Sequence, residues 1–284
     1  FLDFKYAIAQ LGRDTIEKRY GNLFQMYEKI TAVDPYNNPM MIYPAIHYSM
    51  GGLWVDYNLM TTIPGLYAIG ECNFSDHGAN RLGASALMQG LADGYFILPY
   101  TIGDYLAKEI QTPKVNTNTK EFDEAEKHVT DRLRRLYDIK GTQSPDHFHK
   151  ELGHIMWEYN GMAREAAGLK KAIELIAELK KDFYKNLRVT GEFTAMNNEL
   201  EKAARVADFI ELADLMAHDA LDRNESCGGH LRVESMTAEG EAKRDDEHFK
   251  YVSVWEYKGE DKAPELHKEE LVFENIQLTQ RSYK

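Results

Sequence analysis

The residues best suited to chemistry lie in one glycine-rich stretch, residues 65–87. An apolar run over 65–69 predicts a buried strand, and an apolar segment over 84–98 predicts a helix. Between them stand Glu71 and Arg81, among three glycines. Glycines let a ligand approach the backbone, and a helix N-terminus offers unpaired N–H groups to an anion. The stretch therefore predicts an anion site in which the Arg81 guanidinium grips a carboxylate. An ordinary strand-to-helix turn with Arg81 in solvent is an equal alternative on spacing alone.

A second candidate is His47, which precedes the glycine pair at residues 51–52. Residues 41–47 read as a strand that leads into this glycine loop, and residues 53–65 read as a hairpin. A single histidine is more often a core or turn residue than a ligand. Its position before two glycines favours the functional interpretation, because backbone without side chains permits close approach and imidazole can donate a hydrogen bond to a carboxylate.

Composition excludes several classes of function. The net charge of −12 and the pI near 5.4 argue against nucleic-acid binding and against adsorption to an anionic membrane surface. No apolar run reaches the roughly 18 residues of a spanning helix, so we expect no direct membrane insertion. The two cysteines suggest a reducing compartment without a disulfide framework, and no metal-ligand pattern is evident. No Gly-x-Gly-x-x-Gly motif follows a strand, so the usual grip on a dinucleotide pyrophosphate is absent from this sequence.

The rest of the chain divides by its periodicity. Residues 1–32 read as helical, and apolar stripes at helical spacing predict four helices of a bundle, over 122–136, 145–159, 169–187 and 196–217. Alternation predicts strands over 231–234, 251–257 and 270–277. Glu225, Ser226 and His230 match a catalytic set by residue type, but this is weak evidence because triads form in space and not along one loop.

Four motifs carry a resemblance to a known family. Gly70-Glu71 with His77-Gly-Ala-Asn-Arg-Leu-Gly-Ala-Ser-Ala-Leu87 is similar to the second flavin-binding segment of the succinate dehydrogenase/fumarate reductase flavoprotein family. His47-Tyr-Ser-Met-Gly-Gly52 resembles that family's His-Tyr-x-Met-Gly-Gly. Arg223-Asn-Glu-Ser-Cys-Gly-Gly-His230 and Arg244-Asp-Asp246 resemble its Arg-x-Glu-Ser-Arg-Gly-x-His and Arg-Asp-Asp, with Cys227 in place of an arginine.

The resemblance implies roles for five residues. His47 and Arg81 are expected to bind a dicarboxylate substrate, and Glu71 the ribityl chain of FAD. Ala86 and Leu87 are expected at the flavin ring, where Ala84-Ser85-Ala86 replaces the family's Gly-Asn-Ser. The change is tolerable if backbone N–H groups make these contacts, and the flavin is held differently if side chains are needed. The proton donor and the dinucleotide grip are expected upstream. The FAD site is then incomplete in this chain, no catalytic residue lies in it, and the chain by itself is expected to be inactive.

The resulting prediction is a mixed α+β fold. It consists of the end of a capping domain (1–52), the C-terminal part of an FAD-binding α/β domain (53–112), a helical bundle (113–222) and a strand-containing region (223–284). The resemblance also implies an iron–sulfur subunit and a membrane anchor subunit as partners, on the cytoplasmic side of a bacterial inner membrane. Two alternatives stay open: an L-aspartate oxidase-like flavoenzyme and a non-catalytic helical docking module.

Overall fold

A computed structural model describes residues 1–43, 45, 47, 49–74, 81, 85–259, 262–275 and 277–279. The chain forms two compact units, residues 1–49 and 50–284. Helices dominate both units, and within the described ranges the strands pair in one two-stranded sheet.

The first unit contains the helices α1 (Lys5–Leu11) and α2 (Arg13–Thr31). The predicted helix over 1–32 is thus confirmed as two helices, which separate at Gly12, where φ is +80°. This left-handed conformation favours glycine and interrupts the helix. Ile16, Phe24 and Met40 form a small core.

The strand predicted over 41–47 is wrong for the part of it that the structure describes, namely 41–43, 45 and 47, where no strand forms. Met40 makes a single antiparallel bridge with Leu2. A strand takes its hydrogen bonds from a neighbouring strand, and Leu2 offers only this one bridge.

The second unit opens with irregular chain and helices. Residues 53–74 make single bridges, Leu53 with Asn73 and Met60 with Tyr67, so the strand predicted over 65–69 is reduced to one bridging residue. A 3₁₀ turn, Gly70–Cys72, follows. The predicted helix over 84–98 is described from Ser85 onward as α3 (Ser85–Ala92), a π-helical turn (Asp93–Ile97) and α4 (Leu98–Ala107).

The four bundle helices are confirmed as α5 (Lys120–Tyr137), α6 (Pro145–Tyr159), α7 (Ala166–Asn186) and α8 (Asn198–Asp222). Ser144 and Asn197 cap α6 and α8 by accepting hydrogen bonds from backbone N–H groups of the first turn. The apolar stripes meet in one core whose largest side chains, Phe148 and Phe183, are fully buried. Burial of these stripes is what stabilises helices of such length.

The C-terminal region contains a short helix, α9 (Asp246–Phe249), and the antiparallel strands β1 (Tyr251–Glu256) and β2 (Glu265–Glu270). The predicted strand over 251–257 is confirmed. The prediction over 270–277 is wrong, since β2 ends where that strand was expected to begin. β2 is mostly polar and pairs one apolar residue, Leu266, with Trp255, so its sequence shows no clear alternation. Residues 231–234 form no strand; Arg232 bridges Arg164.

Candidate functional site

The two glycine loops of the second unit lie side by side. The backbone N–H of Leu53 donates to the Cys72 carbonyl oxygen at 2.9 Å, and that of Phe74 to the Leu53 carbonyl oxygen at 3.0 Å. A Cβ atom at Gly52 would lie 2.5 Å from the Cys72 carbonyl oxygen, so only glycine allows this approach. The glycine pair therefore serves to bring its loop against the Gly70–Cys72 turn.

Glu71 and Arg81 meet at this junction. Arg81 Nη1 lies 3.4 Å from Glu71 Oε1, with the arginine side chain 18% exposed and the glutamate 46% exposed. The Arg81 backbone N–H donates to Met50 Sδ at 3.2 Å. The structure thus brings together two of the predicted site residues, 10 positions apart, and joins them to the glycine-pair loop. Residues 75–80 and 82–84, which include His77, lie outside the described residues.

Helix α3 packs against the Gly70–Cys72 turn and forms another side of the candidate site. A Cβ atom at Gly90 would lie 3.8 Å from Gly70 Cα, so the helix packs closely on the turn. Ser85 starts the helix, and its Oγ is buried without a hydrogen-bond partner among the described residues. Ala86 is buried and Leu87 is 70% exposed, so Ala86 can offer a ligand little beyond its backbone.

This set of groups fits one side of a flavin. A half-exposed carboxylate accepts hydrogen bonds from hydroxyl groups such as those of a ribityl chain. The first turn of α3 provides N–H groups for ring oxygens and nitrogens. The unpaired Ser85 hydroxyl adds a further donor or acceptor.

The fifth predicted residue, His47, is exposed and belongs to the unit of residues 1–49. Its joint action with Arg81 stays a prediction.

A second polar cluster lies in the C-terminal region and is deeply buried. His230 Nδ1 accepts a hydrogen bond from Arg164 Nη1 at 2.8 Å, and His230 Nε2 donates to the Arg223 carbonyl oxygen at 2.8 Å. Because a guanidinium only donates and a carbonyl oxygen only accepts, the neutral His230 imidazole carries its proton on Nε2. Burial lowers the pKa of His230 below its usual 6.5, and the nearby Arg164 and Arg232 guanidinium groups lower it further.

Arg232 is 3% exposed and closes the end of helix α8. Its Nη1 donates to the carbonyl oxygens of Ala220 at 3.0 Å and Leu221 at 3.3 Å. Its Nε donates to Glu234 Oε2 at 3.2 Å, and Glu234 Oε1 accepts from the Ala166 N–H at the start of α7. One buried cation therefore joins the ends of two bundle helices.

The hydrogen bonds exclude a catalytic set of Glu225, Ser226 and His230. Ser226 Oγ donates to the Arg232 carbonyl oxygen and accepts from the Arg232 N–H. Glu225 accepts from Arg223 and from the Asp245 N–H. Each side chain is thus engaged in a structural hydrogen bond. Sequence reasoning missed Arg164, because its partner His230 is 66 positions away and no local pattern connects them.

Comparisons with known proteins agree with the motifs. The family described as "FAD binding domain" matches residues 6–87, and "Fumarate reductase flavoprotein C-term" matches residues 149–283. The chain is 33% identical over 229 residues to the fumarate reductase flavoprotein subunit of Haemophilus influenzae, covering 80% of the chain and 37% of that protein. It is 31% identical over 269 residues to the succinate dehydrogenase flavoprotein subunit of Bacillus subtilis, covering 94% and 44%.

The structural comparison extends over nearly the whole chain. A solved structure described as "Quinol-Fumarate Reductase with Menaquinol Molecules" superposes with a TM-score of 0.79 at 27% identity, covering 97% of this chain and 45% of the other. The predicted fold class is confirmed. The chain spans about two fifths of the length of the relatives it matches. Among the described residues, no helix has both the length and the apolar character required to cross a membrane.

Proposed function

Because the chain belongs to the succinate dehydrogenase/fumarate reductase flavoprotein family, we propose that it is the C-terminal part of a flavoprotein that interconverts fumarate and succinate with FAD. The observation that carries this proposal is the Glu71–Arg81 pair, held between two glycine loops and the start of α3. FAD, when bound, supplies the acceptor or donor of a hydride. The residues of this chain bind FAD and the substrate and orient them relative to each other.

In this proposal Arg81 receives a substrate carboxylate. A guanidinium remains charged at all physiological pH and presents paired donors that match a carboxylate. Its 3.4 Å contact with Glu71 is long for a charge-assisted hydrogen bond, so replacing it by a bidentate substrate contact costs little. Glu71 is then available to accept hydrogen bonds from ribityl hydroxyl groups, and His47 donates to the second carboxylate.

The partners follow from the same proposal. Electrons must leave or reach the flavin through another carrier, and an iron–sulfur cluster usually needs four cysteine ligands. This chain has two cysteines and cannot ligate such clusters alone. The proposal places the clusters on a separate iron–sulfur subunit. A membrane anchor subunit completes the proposed complex, with this chain peripheral on the cytoplasmic side of a bacterial inner membrane. An L-aspartate oxidase is the second candidate, but the oxidase of Nostoc is 28% identical to the chain, below the 33% and 31% given above.

Replacement of Arg81 by lysine tests the substrate role in the enzyme that contains this chain. Lysine keeps the charge but loses the planar fork, so we expect kcat/KM for fumarate to fall about a hundredfold, equivalent to about 2.7 kcal/mol. The matched control is Arg205→Lys, because Arg205 lies exposed on α8 in an ion pair with Glu201. Turnover near the normal rate in Arg81→Lys would contradict the assignment.

The division of the FAD site is tested with the chain itself. Glu71, Ala86 and Leu87 can contact only the ribityl and ring side, and a ring held from one side keeps much of its apolar surface in water. We expect titration with FAD, followed by flavin fluorescence, to show no sub-micromolar binding. An activity assay with the same chain should show no reduction of fumarate. A yellow protein after purification would show that the chain holds the complete site.

A further inference from the structure

A cluster of metal-ligating side chains lies outside the proposed flavin site, where β1 ends and β2 begins. Glu256 is paired directly with Glu265, and Val254 is paired with His267, so the three side chains project from the same face of the hairpin. His267 Nε2 lies 2.8 Å from Glu256 Oε2. One ligand atom from each of the three residues lies within 4.8 Å of the other two.

This hairpin end already holds a positive charge. Lys258 Nζ lies 3.0 Å from Glu256 Oε1 and 3.0 Å from Glu265 Oε2, so one ammonium group bridges both carboxylates. The cluster is thus arranged around a cation, and the present cation belongs to a flexible side chain that can leave.

We propose that Glu256, Glu265 and His267 form a binding site for a divalent transition-metal ion of the Zn²⁺ type, and that the ion displaces the Lys258 ammonium group. The imidazole decides the class of metal, because Mg²⁺ and Ca²⁺ take oxygen ligands whereas Zn²⁺ takes nitrogen and carboxylate oxygen together. Three protein ligands leave one tetrahedral position for water.

The scaffold suits such an ion. Ligand atoms bound to Zn²⁺ lie about 2.0–2.2 Å from the metal, and hence about 3.3 Å from one another in a tetrahedral site. The 2.8 Å contact between His267 and Glu256 must therefore open slightly, and ligand atoms nearer the 4.8 Å limit must draw closer. The three side chains are about half exposed and have room to do so. The backbone does not need to move, since the strand register holds the three residues together.

The hairpin lies between two parts of the second unit. Trp255, on one face, donates from Nε1 to Asp219 of α8 at 2.8 Å. Glu269, on the face that carries the proposed metal site, accepts from Trp54 Nε1 at 2.7 Å. An ion at Glu256, Glu265 and His267 would join the two strands next to this contact and raise the stability of the hairpin.

Zn²⁺ titration of the whole chain at neutral pH, in competition with a chromogenic chelator, tests the site. We expect one equivalent to bind with micromolar affinity in the wild type. His267→Ala should weaken binding at least tenfold, and Lys258→Met should tighten it several-fold, because the competing ammonium group is removed. His248→Ala is the matched control: His248 is also exposed and paired with a carboxylate, that of Asp245, but belongs to no three-ligand group found among the described residues.

Equal affinity in the wild type and His267→Ala would overturn the proposal, as would weaker binding in Lys258→Met. Loss of binding in His248→Ala would place the ion elsewhere and overturn it too. Mg²⁺ in the same titration should fail to compete, and competition at similar concentration would contradict the choice of a transition metal. The three variants are at exposed positions, and their circular dichroism spectra should match the wild type.

Discussion

The helical bundle and the segment 50–107 differ in where they place their large apolar side chains. In the bundle, apolar side chains face inward, and Phe148 and Phe183 have no exposed surface. Helices α3 and α4, with the π-helical turn between them, instead expose several large apolar side chains. Each of the following is 70–74% exposed: Leu87, Met88, Tyr95, Phe96 and Tyr100. Apolar surface of this extent marks a contact face. The bundle buries its apolar stripes in its own core, whereas α3 and α4 are suited to contact another surface.

The largest difference should appear when the same substitution is made in each region. Phe183→Ala removes a ring that packs edge-on against Phe148 with centroids 5.2 Å apart, and we expect the free energy of unfolding to fall by about 4 kcal/mol. Phe96→Ala removes a ring that is 74% exposed, and we expect a change within about 0.5 kcal/mol. Urea unfolding followed by circular dichroism measures both. A large loss in Phe96→Ala would mean that the contact face of α3 and α4 is already covered.

This contrast also explains how much of the fold could be predicted. The bundle helices follow from apolar residues three and four apart, a local signal that the core then satisfies. Their predicted bounds lie within three residues of the observed ones, except at the C-terminal end of α8, which runs on to Asp222. Strands have no such local guarantee, because a strand needs a partner. The predicted strands over 41–47, 65–69 and 231–234 lack a continuous partner among the described residues. Single bridges form at Tyr67 and Arg232 in the second and third, and at Met40 just before the first.

The candidate site shows the same limit. Glu71 and Arg81 were predicted from a glycine pattern and a family motif, and the structure places them in contact. The buried pair of Arg164 and His230 could not be predicted, because the fold brings together residues that no sequence pattern relates.

The second prediction asks whether the bundle depends on the C-terminal region. Arg232→Met keeps the side-chain volume but leaves the carbonyl oxygens of Ala220 and Leu221 without their donor. We expect the free energy of unfolding to fall by about 3 kcal/mol, because a buried hydrogen-bonded cation is lost. Arg205→Met, in an exposed pair with Glu201, should change stability by less than about 0.5 kcal/mol. Equal effects would mean that α8 ends independently of Arg232.

The third and smallest prediction concerns pH. The pKa of His230 is lowered in the folded chain, chiefly by burial, so the unfolded chain binds a proton more readily below about pH 6.5. The stabilisation from neutral His230 is therefore present above that pH and is lost as the pH falls toward the lowered folded-state value, with a slope of at most about 1.4 kcal/mol per pH unit.

His230→Gln tests this directly. Glutamine can accept from Arg164 and donate to the Arg223 carbonyl oxygen without titrating, so the acid side of the stability curve should become flatter. His248→Gln should act in the opposite direction. The hydrogen bond that His248 donates to the Asp245 carboxylate raises the pKa of His248, so its contribution is present below about pH 6.5 and is lost as the pH rises through the folded-state pKa. Removing it should lower stability by a constant amount below about pH 6.5 and flatten the fall in stability that occurs as the pH rises above that value. Urea midpoints measured on both sides of about pH 6.5 give the two slopes, and an unchanged acid slope in His230→Gln would show that the Arg164–His230 contact tolerates protonation.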